Sequence, residues 1–231
     1  MLAAGQLPAL SISLTSCTMD KNDKYIPAAS FHWLTPLYDP LVRWFMPETK
    51  FKSHLIEQAH IQTGHRVLDL GCGTATLTIL IKETHPDTEV TGLDGDAGIL
   101  EIARQKAAKA GAEITLEKGM AFQLPYAENS FDRVLSSLVL HHLTIDNKRR
   151  TLAEVFRVLE PDGELHVVDF KRANKTLSTM LQAAGFKRVE EYARYRTIFG
   201  TLSLWRARCA QEPLIESKSR SGALRTRRFC F

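Results

Sequence analysis

Cysteine is scarce and scattered. Cys17, Cys72, Cys209 and Cys230 form no CxxC pair and no Cys/His cluster. That excludes a zinc ribbon or a disulfide framework, so the chain reads as a cytoplasmic protein with reduced thiols and no metal site. Long apolar runs are lacking too, and no stretch approaches the length of a membrane span. The opening "MLAAGQLPALSISLTSC" has no basic residue before Lys21 and is broken by Pro8. A secretory signal wants a positive start and an unbroken apolar stretch. The expectation for residues 1–24 is a disordered extension, with Met19 as an alternative start. A broad basic surface is also missing. The formal net charge is +4, but residues 212–231 alone hold five basic and two acidic side chains. The rest is close to neutral, which excludes a duplex-binding surface, and no nucleic-acid partner is expected. The tail 211–231 reads as a basic disordered end. There is no internal repeat and no low-complexity block.

What remains is ordinary for a globular chain. Its 231 residues, 44% hydrophobic and 24% charged, suit one α/β domain that folds without disulfide or metal. From Arg66 onward, short apolar runs alternate with helical patterns. Strands are expected at 66–70, 89–94, 113–119, 131–138 and 164–170, and helices at 74–85, 97–111, 148–163 and 175–186. Ile99, Ile102, Ala103, Ala107 and Ala110 mark the apolar face of the 97–111 helix, with Gly111 as its C-cap. Two late strands follow, "KRVEEYARY" and "TLSLWRARC". Strand–helix alternation at this spacing implies a doubly wound, Rossmann-like α/β fold with right-handed crossovers. Residues 61–210 form that domain. An aromatic N-terminal segment, 25–60, is expected to lie over it as a helical lid.

The informative stretch is "VLDLGCGTATL", Val67 to Leu77. In open parallel sheets ligands bind beyond the carboxyl ends of the strands, and this loop sits there. The dinucleotide fingerprint wants a third glycine where Thr76 stands, and no Gly-Lys-Ser/Thr follows, so both phosphate-loop patterns fail. Asp69 before the loop would repel a phosphate but suits an ammonium group. Asp94 closes the second strand about twenty residues on, where an acid can take two ribose hydroxyls. A ligand with a ribose and an ammonium but no pyrophosphate fits both, and S-adenosylmethionine has those features.

The chain from about Tyr25 to Cys209 resembles the class I S-adenosylmethionine-dependent methyltransferases. Within them it is similar to the small-molecule branch containing the ubiquinone and menaquinone C-methyltransferases. Four pieces carry the resemblance, in order: "VLDLGCGTATLTILI", "VTGLDGDAGILEIARQKA", "LPYAENSFDRVLSSLVLHHL" and "EVFRVLEPDGELHVVDF". The resemblance implies a seven-stranded sheet, mostly parallel, with an antiparallel last strand. It also implies cofactor roles for particular residues. Asp69, Gly71, Cys72 and Gly73 belong to the loop at the methionine end. Asp94, with Gly95 beside it, meets the ribose, and Met120 and Ala121 flank the adenine. Ser137 and Leu138 line the pocket, and Tyr38 reaches the cofactor from the N-terminal segment. Ala75 replaces a glycine common in relatives, a change expected to be tolerated. Met120 replaces an acid that accepts from the adenine amino group, leaving recognition to backbone groups and sulfur–aromatic contact.

Methyl transfer is an in-line displacement in which the protein supplies alignment and excludes water. A base is needed where the acceptor must lose a proton. The candidates are His141 and His142, in the loop after the fourth strand, with Asp169 ranked below them. The other reading of "HHL" is loop packing. Phe170 runs almost at once into the next helix, so the lid over a small-molecule acceptor must come from the aromatic segment. A short lid leaves three options: an open site, a bulky or lipid-like acceptor, or closure by a second subunit of a homodimer. Competing readings are a non-catalytic cofactor-binding or scaffold member of the fold, a nucleotide-dependent oxidoreductase and an arsenite methyltransferase. The missing third glycine argues against the second and the scattered cysteines against the third.

Overall fold

A computed structural model of the chain describes residues 48–174 and 176–209. The 1–24 extension, Tyr38, most of the aromatic segment and the basic tail lie outside the described residues. In chain order the elements are α1 (Glu48–Gln58), β1 (Arg66–Leu70), α2 (Thr76–Thr84), β2 (Glu89–Asp94), α3 (Ala97–Ala110), β3 (Thr115–Lys118) and β4 (Phe131–Ser137). After a 3-10 turn at Leu140–His142 come α4 (Ile145–Val158), β5 (Leu159–Phe170), a second 3-10 turn at Lys171–Asn174, α5 (Leu177–Ala183), β6 (Arg188–Thr197) and β7 (Gly200–Arg208). The seven strands form one sheet in the order β3-β2-β1-β4-β5-β7-β6. β1 pairs in parallel with β2 and β4, β2 with β3, and β4 with β5. β7 runs antiparallel to both β5 and β6. The expected fold class, with its antiparallel last strand, is the observed one.

The central strands are apolar because both faces are covered. Leu68 and Leu70 of β1 join Val134, Leu165 and Val167 under α4 and α5. Val67 points the other way, with Leu135 and Val168, under α1 and α2. Successive side chains alternate across a strand, so Asp69 shares the face of Val67. Each buried Leu, Ile or Val side chain stabilises the fold by about 1.5–3 kcal/mol relative to exposure. The helix α1 lies within the 25–60 segment, and it is core: Phe51, Leu55 and Ile56 are buried against both sheet and α2. Among the described residues, no helix is long and apolar enough to cross a membrane.

Three local expectations need correction. α4 starts at Ile145, three residues before the expected 148, because the Thr144 hydroxyl accepts from Asn147 N–H and caps it. It ends at Val158 rather than at 163. Pro161 cannot continue a helix, and the chain turns directly into β5. In α3 the buried stripe is Leu100, Ala103 and Ala107, not Ile99, Ile102 and Ala110. Gly111 does end it, at φ 64°.

The strand order reverses between β1 and β4. That switch point opens a crevice beyond their carboxyl ends, bounded by the loops after β1, β2, β4 and β5.

Candidate active site

The loop after β1 is tied to the end of β2. Gly71 N–H and Cys72 N–H both donate to Leu93 O, at 2.8 and 3.0 Å. The two motif glycines serve different purposes. Gly71 takes φ 72°, and a side chain there would meet Val139 Cγ2 at 2.5 Å. Its missing side chain lets the loop after β4 pack against the loop after β1. Gly73 takes φ 54° and has nothing within 4 Å of where a Cβ would stand. Its missing side chain leaves open space. Cys72 turns inward over Gly92, whose own Cβ position would be 3.0 Å from the sulfur. Burial, with Asp69 and Asp94 nearby, pushes the Cys72 thiol far above the usual cysteine range, so it is inert and acts as packing.

Asp69 is 1% exposed. Thr78 Oγ1, from α2, donates to its Oδ2 at 2.7 Å. Its Oδ1 has no partner among the described residues. Burial pushes the carboxyl up to about 6; the Thr78 hydroxyl and Lys52 pull it down, and Asp94 adds to the rise. Asp94 is also raised by burial, against backbone N–H groups that favour its ionised form. Gly73 N–H donates to Asp94 Oδ2 at 3.0 Å and Asp96 N–H to Oδ1 at 2.9 Å. Asp94 therefore fastens the glycine loop, and each oxygen keeps a second lone pair for a hydroxyl donor. Gly95 lies between the two acids, at the head of the turn into α3, where the Asp96 side chain caps Gly98 and Ile99. Two carboxylates raised by burial, Asp69 further so by the charge of Asp94, make a site for a cationic ligand.

Met120 and Ala121 close the same side. Gly119 N–H donates to Asp94 O at 3.0 Å, and Met120 pairs with Gln123 in an isolated bridge. Both residues are half-buried. Beside them Phe122 is buried, with the Arg150 guanidinium 4.8 Å over its ring.

On the opposite wall, Ser137 ends β4 with a buried Oγ that has no partner among the described residues. Leu138 follows at φ 61°, a strained conformation for a non-glycine residue, and donates its N–H to Val168 O at 2.8 Å. The chain then turns so that Asp169, from the end of β5, holds His141 twice. His141 N–H donates to Asp169 Oδ2 at 3.0 Å, and His141 Nδ1 lies 2.8 Å from Oδ1. Opposite a carboxylate, Nδ1 carries the proton, which leaves Nε2 as an acceptor. His142 stacks on His141 with ring centroids 3.9 Å apart. Desolvation and His141 lower the His142 pKa below the usual histidine value, against an opposing pull from Asp169. Phe170 meets the His141 ring edge-on at 5.1 Å. Next to them a groove of about 440 Å³ is lined by His141, Phe170, Arg172, Phe199, Gly200 and Thr201. A larger hollow of about 550 Å³ lies on the α1 side, at Ser53, His54 and Tyr195, and contains none of the motif residues.

The structure thus gathers Asp69, Gly71, Gly73, Asp94, Gly95, Met120, Ala121, Ser137, Leu138, His141 and His142 around one crevice. Cys72 is in the loop but faces the core, and Tyr38 lies outside the described residues. Three contributors were not singled out from sequence. Thr78 holds Asp69, and Arg172 and Phe199 line the groove. Asp169, ranked below the two histidines as a candidate base, is the partner of His141.

The chain matches the family described as "Methyltransferase domain" over residues 67–163. It is 31% identical over 161 residues to a demethylmenaquinone methyltransferase of Thermus thermophilus, covering 69% of this chain and 72% of that one. A demethylmenaquinone methyltransferase of Listeria monocytogenes is 33% identical over 148 residues, 62% of each chain. This chain therefore spans under two thirds of the length of the Listeria relatives. Among solved structures, the cyclase SpnF superposes with TM-score 0.62 at 20% identity, covering 71% of this chain and 81% of that one. A SAM-dependent methyltransferase from Aquifex aeolicus superposes with TM-score 0.58 at 17% identity, covering 69% and 89%. The chain belongs to the class I S-adenosylmethionine-dependent methyltransferase family.

The family's cofactor can be tested against the crevice. S-adenosylmethionine brings an ammonium and a sulfonium, two ribose hydroxyls and a bulky chain. Among the described residues, the crevice offers an unpartnered buried Asp69 oxygen, spare lone pairs on Asp94, an unpartnered Ser137 hydroxyl and open space at Gly73. The residues fit the group.

Proposed function

We propose that this chain transfers a methyl group from S-adenosylmethionine to a small organic acceptor that gives up a proton. The observation that carries the reading is Asp69, a buried carboxylate with one oxygen unclaimed among the described residues, together with open space where a Gly73 side chain would stand. An isolated buried carboxylate is costly, and a cationic ligand repays that cost. Asp69 and the backbone at Gly71 and Gly73 hold the methionine end. Asp94 with Gly95 holds the ribose. Met120 and Ala121 flank the adenine, and Ser137 and Leu138 form the opposite wall. When bound, S-adenosylmethionine supplies an electrophilic methyl group on sulfur.

The acceptor's proton goes to His141 Nε2. Asp169 fixes the tautomer and stabilises the imidazolium that forms, and the proton then passes to water. His142, stacked behind it and kept neutral by its lowered pKa, adds no competing charge at neutral pH. Phe170, edge-on to the ring, excludes water on that side. The names of the relatives favour a quinol-like aromatic acceptor. The free, buried thiols of Cys72 and Cys209 favour a cytoplasmic location.

A reading without methyl transfer has one supporting observation, the fold shared with a cyclase. The His141–Asp169 pair speaks against it. Calorimetric titration with S-adenosylmethionine and S-adenosylhomocysteine, with NADH run beside them, tests the proposal. Micromolar binding of the two sulfur compounds and none of NADH is expected. No binding by either sulfur compound overturns it.

A further inference from the structure

We propose that the groove beside His141 is the acceptor subsite and that it selects an aromatic acceptor carrying an anionic group. The proposal rests on the methyl-transfer reading and narrows its substrate class. The groove's volume, about 440 Å³, is in the range of small-molecule pockets and suits one or two fused rings. Two of its walls are aromatic. Phe170 packs edge-on against His141, and Phe199 stands 58% exposed at the β6–β7 turn. Such a large exposed ring gains by stacking on a flat ligand. Gly200 between them has φ 129°, and a side chain there would stand 3.8 Å from Phe170 Cδ1 and narrow the groove.

The charge comes from Arg172. It lines the groove, and no described carboxylate pairs with it. The neighbouring acids are committed elsewhere. Asp169 is 2% exposed and already accepts from His141 N–H, His141 Nδ1 and Phe170 N–H. Glu191 is taken by Arg194, Ser203 and Lys171. A guanidinium with no carboxylate partner among the described residues, in a groove walled by phenyl rings, presents a planar fork to a carboxylate. A neutral aromatic acceptor would leave that fork unused. An anionic one places its ring between the phenylalanines and its protic atom toward His141 Nε2.

The test uses the full chain saturated with S-adenosylhomocysteine and titrated with 1-hydroxy-2-naphthoate or 1-naphthol. The acid is expected to bind at least about tenfold more tightly, the scale of one charge-assisted hydrogen-bonded pair. Arg172→Gln is expected to abolish that preference while naphthol and S-adenosylhomocysteine affinities stay as in the parent. Phe199→Ala should weaken both aromatic ligands together. Equal binding of the two in the parent overturns the proposal. So does a preference that survives R172Q, or no binding of either. The cofactor arm is read separately. S-adenosylhomocysteine binding without a preference for the acid overturns this proposal alone; failure of S-adenosylhomocysteine to bind overturns the methyl-transfer reading and takes this one with it.

Discussion

Asp69 meets two opposed demands. Its carboxyl is held up to about 6 in the fold, chiefly by burial, against about 3.9 in an unfolded chain. The raised value means the fold favours the protonated form. This group's contribution to stability is therefore full below about pH 4 and is lost as pH rises through about 6. A cationic ligand needs the ionised form, so affinity should run the other way. S-adenosylhomocysteine is expected to bind progressively more weakly as pH falls below about 6, by up to about tenfold per unit. Asp69→Asn should flatten that dependence in calorimetry and weaken binding at neutral pH; an unchanged pH profile would remove Asp69 from the site. Asp94→Ala should cost at least tenfold in affinity, and it should also lower the melting temperature, because the same carboxylate fastens the backbone of Gly73 and Asp96. The two histidines should separate in kinetics. His141→Ala is expected to lower kcat by about 10²–10⁴-fold with S-adenosylhomocysteine affinity unchanged. His142→Ala should act far less, since no carboxylate orients its ring. Equal losses in the two variants would make the pair a wall and not a base.

At the scale of elements, the loop into α2 is the instructive case. Ala75 stands where the family resemblance leads one to expect glycine. It takes φ 60°, ψ 26° and is wholly buried against Ile79, Ala103 and Ala107. The left-handed conformation costs an L-residue about 1–2 kcal/mol, while its buried methyl contributes about 0.8 kcal/mol. The terms nearly cancel, so Ala75→Gly should shift the melting temperature by only a few degrees. Ala75→Val, β-branched in a left-handed and filled position, should destabilise by about 2–3 kcal/mol in urea titration. Much of this region was legible in the sequence. β1 and β2 follow from short apolar runs, and Gly71, Gly73 and Asp94 from local spacing. The buried stripe of α3 was not, because the 97–111 stretch is apolar on more than one side and only the sheet decides which side it buries. The start of α4 was readable in principle from Thr144 as a capping residue. His141 with Asp169 was not: they are 28 residues apart, and only β4–β5 pairing brings them together. The same holds for Arg172 and Phe199, joined by the turn after β6.

For the whole molecule, α1 shares a buried core with the sheet among the described residues. The boundary expected near residue 61 cuts through the core, because Phe51 and Leu55 are fully buried beneath the sheet. Phe51→Ala should cost about 3–5 kcal/mol of stability in chemical denaturation. A helix acting only as a lid would instead change acceptor kinetics and leave the denaturation midpoint alone. Across the crevice, Gly71 lets Val139 lie directly on the glycine loop, and two residues beyond Val139 is the histidine proposed as base. The loops after β1 and β4 are therefore in contact, and amide exchange at residues 139–143 should slow when S-adenosylhomocysteine binds against the first. Slower exchange there would mean that a ligand filling the first loop also steadies the one carrying His141, which Asp169 already holds in place.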